Sequence, residues 1–190
     1  MESFETERLI LQHINLSDME AIYRSWVYNP EIYRFLAPYY ANDSDTARKW
    51  IDETLQDFSE ANPGSWELFA IELKSANEVI GVFELTGIDR EVRSAEVGYH
   101  LGKKWWGNGY AAEALRALLM YCFENAALNR VSAYYDPRNP NSGRVMQKAG
   151  MIYEGVFRQC QIRRGELVDR VYYAMLKEDW DMCQRSRTSH

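Results

Sequence analysis

The apolar period of this chain switches from two to about 3.6 near Gly102, and that switch limits the folds open to it. Upstream, segments 66–73, 78–85 and 94–101 alternate apolar and polar residues, with Asn77 and Gly87 near the turns between them. A period of two sets one face of each strand on a core, and short connections between consecutive strands give an antiparallel meander. Downstream, Ala111, Ala114, Leu115, Leu118, Leu119, Cys122 and Phe123 recur at the spacing of one helix face. The meander therefore feeds a long helix through the glycine-containing segment between them.

The remaining elements fit around this pair. Residues 8–14 alternate as a first strand. Ser17 and Glu20 make a capping box for a helix that carries Met19, Ile22, Tyr23 and Trp26 and stops near Asn29-Pro30. A loop rich in aromatics follows, with Tyr33, Phe35, Tyr39 and Tyr40. Ser44 or Asp45 opens a second helix through Trp50, Ile51, Leu55 and Phe58, ended by Asn62-Pro63-Gly64. A strand at 130–135, a short helix at 141–149 closed by Gly150, and strands 151–159 and 167–175 around Arg164-Gly165 complete the order β-α-α-β-β-β-α-β-α-β-β. This order predicts one mixed α/β domain over 1–180, with a mostly antiparallel twisted sheet and helices on both faces. Residues 181–190 are predicted to be a polar tail that frays.

Composition excludes several classes. A formal net charge of −6 argues against a nucleic-acid groove, which needs a basic face. No apolar run approaches the roughly 20 residues that span a bilayer, and Met1-Glu2-Ser3-Phe4-Glu5 lacks a signal-peptide stretch. A cytoplasmic protein without a membrane partner is expected. Cys122, Cys160 and Cys183 are far apart, and His13, His100 and His190 are scattered, so reduced thiols and no metal site are expected.

The segment Lys103-Lys104-Trp105-Trp106-Gly107-Asn108-Gly109-Tyr110-Ala111-Ala112 carries the chemistry. Two glycines allow a tight turn, and the first turn of the helix adds unpaired N–H donors and partial positive charge. Together they suit a pyrophosphate. Gly107-x-Gly109-x-x-Ala112 also fits a dinucleotide fingerprint. It lies past the middle of the chain, after an antiparallel run, and Trp105-Trp106 intervene, which argues against an NAD site.

Lys104-x-x-Gly107-x-Gly109 resembles the acetyl-coenzyme A motif Q/R-x-x-G-x-G/A of the GNAT superfamily of N-acetyltransferases. The wider resemblance is to the Rim-type branch, which acetylates ribosomal-protein N-termini. It runs through Glu5-Thr6-Glu7-Arg8-Leu9-Ile10-Leu11, Ala95-Glu96-Val97-Gly98-Tyr99, Asn139-Pro140-Asn141-Ser142, Gln147-Lys148-Ala149-Gly150 and Glu154-Gly155-Val156-Phe157-Arg158, and ends on Asp169 to Tyr173. Lys104 replaces Gln or Arg, which keeps the cation and loses the fork. Gly143 stands where an apolar residue is common, and Met151 where Phe is common.

The resemblance implies a sheet splayed between strands 94–101 and 130–135, with acetyl-coenzyme A in the gap. The pantetheine arm would bond backbone groups of Val97, Gly98, Tyr99, His100 and Leu101, and the side-chain amide of Asn139. The pyrophosphate would sit on the amides of Trp106, Gly107, Asn108, Gly109, Tyr110 and Ala111, with Lys104 and Trp105 beside it. Ser142 matches the family serine next to the sulfur, as proton donor to the leaving thiolate, as helix N-cap, or as both. Glu96 is favoured as the base over Glu84, Glu154, Asp136 and His100, and Tyr134 and Tyr135 are alternative donors to the thiolate. The amine must lose a proton before attack. Tyr33, Phe35, Tyr39 and Tyr40, with loop 159–167, are expected to wall the acceptor cleft. The acceptor implied is a primary amine, foremost a protein or peptide N-terminus such as that of a ribosomal protein. A polyamine, antibiotic or metabolite amine remains open, as do a non-catalytic acyl-coenzyme A sensor and self-association as a homodimer.

Overall fold

A computed structural model describes residues 3–14, 18, 35 and 66–188. The helices expected from 17 to about 29 and from 44 or 45 to about 58 lie outside the described residues. Eight strands form one sheet in the order β1-β2-β3-β4-β5-β6-β8-β7. They are β1 (Ser3–Glu5), β2 (Leu9–His13), β3 (Glu67–Leu73), β4 (Glu78–Asp89), β5 (Ser94–Leu101), β6 (Arg130–Tyr135), β7 (Ile152–Arg163) and β8 (Glu166–Leu176). Among the described residues the α-helices are α1 (Tyr110–Met120), α2 (Pro140–Ala149) and α3 (Lys177–Thr188). The expected meander is β3-β4-β5, and every neighbouring pair is antiparallel except β5 and β6.

Alternation sorts the strands into two faces. Leu9, Leu11, Phe69, Ile71, Phe83, Leu85, Ala95, Val97 and Val131 are buried in one cluster with Leu115, Leu118 and Leu119 of α1 and Met146 and Ala149 of α2. Each fully buried Leu or Phe there contributes about 1.5–3 kcal/mol. α1 and α2 pack against each other on this face. A π-helical turn, Tyr121–Asn125, extends α1 and sets Phe123 against Trp180 at 6.0 Å between ring centroids.

Two segments differ from expectation. A helix, α3, runs to Thr188 where a fraying tail is predicted from 181. Its start is fixed by Asp179, whose Oδ2 accepts the Leu176 N–H at 3.0 Å, and by Trp180, whose Nε1–H donates to Glu124 at 3.0 Å. Lys177 and Asp181 add an i,i+4 pair. β7 runs to Arg163, beyond the expected 159. Its pairing with β8 is irregular between Phe157 and Gln161, which breaks the alternation there.

Candidate active site

The site begins at the one parallel pair. β5 and β6 are joined only by Ser94↔Arg130, Ala95↔Val131 and Glu96↔Ser132. Beyond Glu96, β6 continues with β8 through Tyr135↔Val171, while β5 continues with β4 through Leu101↔Gly81. The edge of β5 from Val97 to Leu101 therefore has no ladder partner on the β6 side. Such an edge holds ready hydrogen-bonding groups.

The glycine loop stands after this open edge. Lys103–Trp105 is one 3₁₀ turn, and the Trp106 N–H bonds the Lys103 carbonyl at 3.1 Å. That amide is engaged, which takes Trp106 out of the set of amides expected to hold a pyrophosphate. Gly107 and Gly109 have φ of 79° and 81°, a region that favours glycine. Gly109 is the N-cap of α1 and the first intrahelical bond runs from the Glu113 N–H to its carbonyl, 3.1 Å. The amides of Tyr110, Ala111 and Ala112 are left without intrahelical partners, as at any helix start. Trp106 Nε1–H closes back on the Leu101 carbonyl at 2.8 Å, and Asn108 Nδ2 bridges the carbonyls of Trp105 and Trp106. Lys104 is 70% exposed, 3.5 Å from Glu78, and lies over the Trp105 ring.

Arg8 braces this loop, a role that its place in the opening strand does not disclose. Its Nη1 donates to the Asn108 carbonyl at 3.1 Å, and its Nε to Glu113 at 2.7 Å. Thr6 also donates to Glu113. Burial alone would raise the Glu113 pKa, but the hydrogen bonds from Thr6 and Arg8 outweigh it and hold the carboxyl below its usual value. Thr6 and Arg8 lie over a hundred residues from Glu113, so no local sequence pattern links them.

α2 supplies the second wall. Asn139, not Ser142, is its N-cap, with Pro140 at the first helical position and no side-chain cap bond from Asn139. The N-cap reading of Ser142 is therefore corrected: a proline opens the helix two residues before it. Ser142 Oγ lies 2.8 Å from Tyr99 Oη, which also donates to the Ser142 carbonyl at 2.9 Å. Burial raises the Tyr99 pKa, so the phenol stays protonated.

A group of polar side chains lies on the opposite face of the sheet. Glu96, Gly98 and His100 share it by alternation, and Glu84 of β4 lies over Gly98, where a Cβ would come within 3.0 Å of it. Burial raises both carboxyl pKa values; the Glu96 charge raises Glu84 further, and Arg170 opposes the rise at Glu96. Burial lowers His100 to about 4, so its imidazole is neutral at physiological pH. Tyr134 lies under the Arg170 guanidinium, 3.8 Å from the ring centroid. Glu154 is engaged elsewhere, with Arg130. Tyr33, Tyr39 and Tyr40 lie outside the described residues; Phe35 is half-buried in a turn.

A mixed sheet parted at a single parallel seam, with a glycine-started helix beside the opening, is the architecture of a coenzyme A-dependent acyltransferase. The model of the acetyltransferase (GNAT) domain family matches residues 8–152, and the chain belongs to that family as an N-acetyltransferase. It is 33% identical over 180 residues to the N-acetyltransferase p20 of Bacillus licheniformis, covering 95% of this chain and 99% of that protein. It is 28% identical over 162 residues to the ribosomal protein uS5-alanine N-acetyltransferase of Escherichia coli K12, covering 76% and 82%. The crystal structure of the ribosomal-protein-S5-alanine acetyltransferase of Vibrio fischeri superposes with a TM-score of 0.78 at 25% identity, covering 95% and 99%.

Proposed function

We propose that this protein transfers an acetyl group from acetyl-coenzyme A to the α-amine of a protein or peptide N-terminus, such as that of a ribosomal protein. The observation that carries the reading is the three-rung seam between β5 and β6, with a group of polar side chains on one side and the α1 amides and Ser142 on the other. The likeness to the uS5-alanine enzyme supports the choice of acceptor.

The residues fit the donor. The unladdered β5 edge can bond the amides of a pantetheine arm, and the amides from Gly107 to Ala112 can hold a pyrophosphate. Asn139 has a side-chain amide that is not used as a cap. Acetyl-coenzyme A supplies an acyl group already activated as a thioester. Glu96 takes the proton of the incoming ammonium at its carboxylate, and its raised pKa brings it nearer to the amine's. The Tyr99 amide, on the open edge of β5, suits the acyl oxygen. The Ser142 hydroxyl, hydrogen-bonded to Tyr99, gives a proton to the departing sulfur and takes one back from the attacking nitrogen, which sheds its extra proton as the amide forms. Free cysteines fit a reducing compartment, and we assign the protein to the cytoplasm.

A panel of amines with acetyl-coenzyme A, read by release of free thiol, tests the reading. Peptides with a free N-terminus should exceed spermidine and aminoglycosides in kcat/KM. A polyamine as the best acceptor would overturn the choice, and binding without turnover of any amine would make the protein a sensor.

A further inference from the structure

The Glu96 face holds a buried positive charge that no step above uses. Arg163, the last residue of β7, has a side chain only 8% exposed. Its Nε and Nη1 are buried and make no hydrogen bond. Among the described residues its one ion pair is with Asp136 Oδ2, 3.5 Å from Nη1. Asp136 is already committed: it accepts from Arg138 Nε at 2.9 Å, Arg138 Nη2 at 2.7 Å and the Arg138 amide at 2.9 Å.

Arg170 stands on the same face. Its guanidinium covers Tyr134, its Nε donates to Gln161 at 2.9 Å, and its Nη1 reaches Tyr172 Oη at 3.4 Å. The charges of Arg170 and Arg138 both repel that of Arg163, and Glu96 attracts Arg170 from β5. Glu166, paired with Arg138, lies 72% exposed at the rim. Two guanidiniums thus share one committed aspartate, and Arg170 stands near Arg163. Buried guanidinium donors left unmatched are costly, and such orphans mark places where a ligand is received.

Local backbone features hold Arg163 there. Arg164 and Gly165 have φ of 50° and 81°, which suits the two-residue hairpin turn pairing Arg163 with Glu166. Upstream, Gln159 has a φ of 49° and its N–H bonds Asp169 Oδ1 at 2.8 Å, within the irregular stretch of β7. A bulge of this kind re-aims the residues after it. Gln161 and Arg163 consequently reach Arg170 and Asp136.

We propose that Arg163 and Arg170 form a carboxylate subsite of the acceptor cleft, so that the acceptor is a primary amine with a carboxylate close to it. That group is an acidic side chain next to a peptide N-terminus, or the carboxylate of a free amino acid. The inference rests on reading the Glu96 face as the acceptor side. Glu96 faces the ammonium, and the two guanidiniums face the anion, with the unmatched donors of Arg163 as its main partners. A polyamine, cationic along its length, is repelled by the same pair.

The test uses matched acceptors with wild type, Arg163→Gln and Arg170→Gln, after melting curves establish folding. One pair is Ser-Glu-Ala-Ala and Ser-Gln-Ala-Ala, both C-terminally amidated; the other is free glutamate and its diamide. Wild type should prefer the acidic member of one pair by about tenfold or more in kcat/KM. The pair that responds names the source of the carboxylate. Both variants should bring that preference below about twofold. Equal rates for acidic and neutral partners in wild type, or a preference that survives both substitutions, overturns the inference while leaving N-acetylation intact. If no amine is acetylated, the proposed function fails separately. Calorimetric titration of N-acetyl-Ser-Glu-amide and N-acetyl-Ser-Gln-amide into the coenzyme A complex then decides the inference. Acidic-selective binding lost in Arg163→Gln sustains it, and equal binding or none removes it.

Discussion

The Tyr135 ring occupies the space that a side chain on Gly143 would need: a Cβ there would lie 2.6 Å from Tyr135 Cζ. Gly143 stands in α2 where an apolar residue is common in the family, and the tyrosine on β6 explains the exchange. Gly143→Ala gains about 1 kcal/mol of helix propensity but meets an overpacking penalty of about 1–3 kcal/mol, so a net loss is expected. Gly143→Val should lose more. Combining Gly143→Ala with Tyr135→Ala should lessen the clash, and denaturant melts of the single and double variants would show that as a non-additive cycle.

Gly109→Val should weaken coenzyme A binding by about tenfold or more, against about threefold or less for Lys104→Ala. Gly109 has a φ of 81° that valine does not adopt readily, while a Cβ would meet only Arg8 Nη2, at 3.6 Å. The conflict is therefore one of backbone shape at the start of α1. Lys104 is exposed and already shares its charge with Glu78. Calorimetry on the folded variants gives the ratio, and a larger loss for Lys104→Ala would move the anion site away from the amides.

Ser142→Ala should lower kcat by about 10- to 100-fold, at or below the lower end of general acid catalysis, with little change in acetyl-coenzyme A affinity. Because Asn139 is the N-cap, the roughly 1 kcal/mol loss of a missing cap is not expected. Tyr99→Phe removes the hydroxyl that meets Ser142 Oγ and should lower kcat by a smaller factor. Normal turnover in Ser142→Ala would pass the proton to Tyr99, Tyr135 or water.

Glu84 and Glu96 set a pH dependence of known sign. Their raised pKa values mean that the folded state binds more protons than the unfolded one above the ordinary carboxyl range. Stability from these groups is full at low pH and declines as pH rises through that window, levelling above the raised values. Glu84→Gln should stabilise the protein at pH 7 and flatten the decline in melts from pH 4 to 8. Arg170→Gln should shift the acidic limb of kcat/KM to higher pH, because Glu96 loses the cation that opposes its rise. An unmoved limb would separate Glu96 from the base role.

The meander, the long helix and the glycine loop were legible because each follows from short-range periodicity or backbone freedom. The Rim-type pattern carried the splay, which no strand spacing discloses. The Ser142 cap failed because Pro140 starts α2 earlier than the favoured cap residue suggested. The Arg8–Glu113 brace joins residues 105 apart, and the Arg163–Asp136 pair depends on an irregular β7 that hides its own alternation. α3 was missed because its anchor is one aromatic, Trp180, rather than a repeating apolar stripe. The two predicted N-terminal helices lie outside the described residues.

The three-rung seam also makes the sheet behave as two stiff plates sharing a short hinge. The plate of β1 to β5 and the plate of β6 to β8 touch through Ser94–Glu96 against Arg130–Ser132, and α1 and α2 press together across the gap. The slot width is then governed by the helix–helix contact, which acts as a spacer. A bulkier or smaller residue between α1 and α2 would widen or narrow the slot without breaking a single ladder bond.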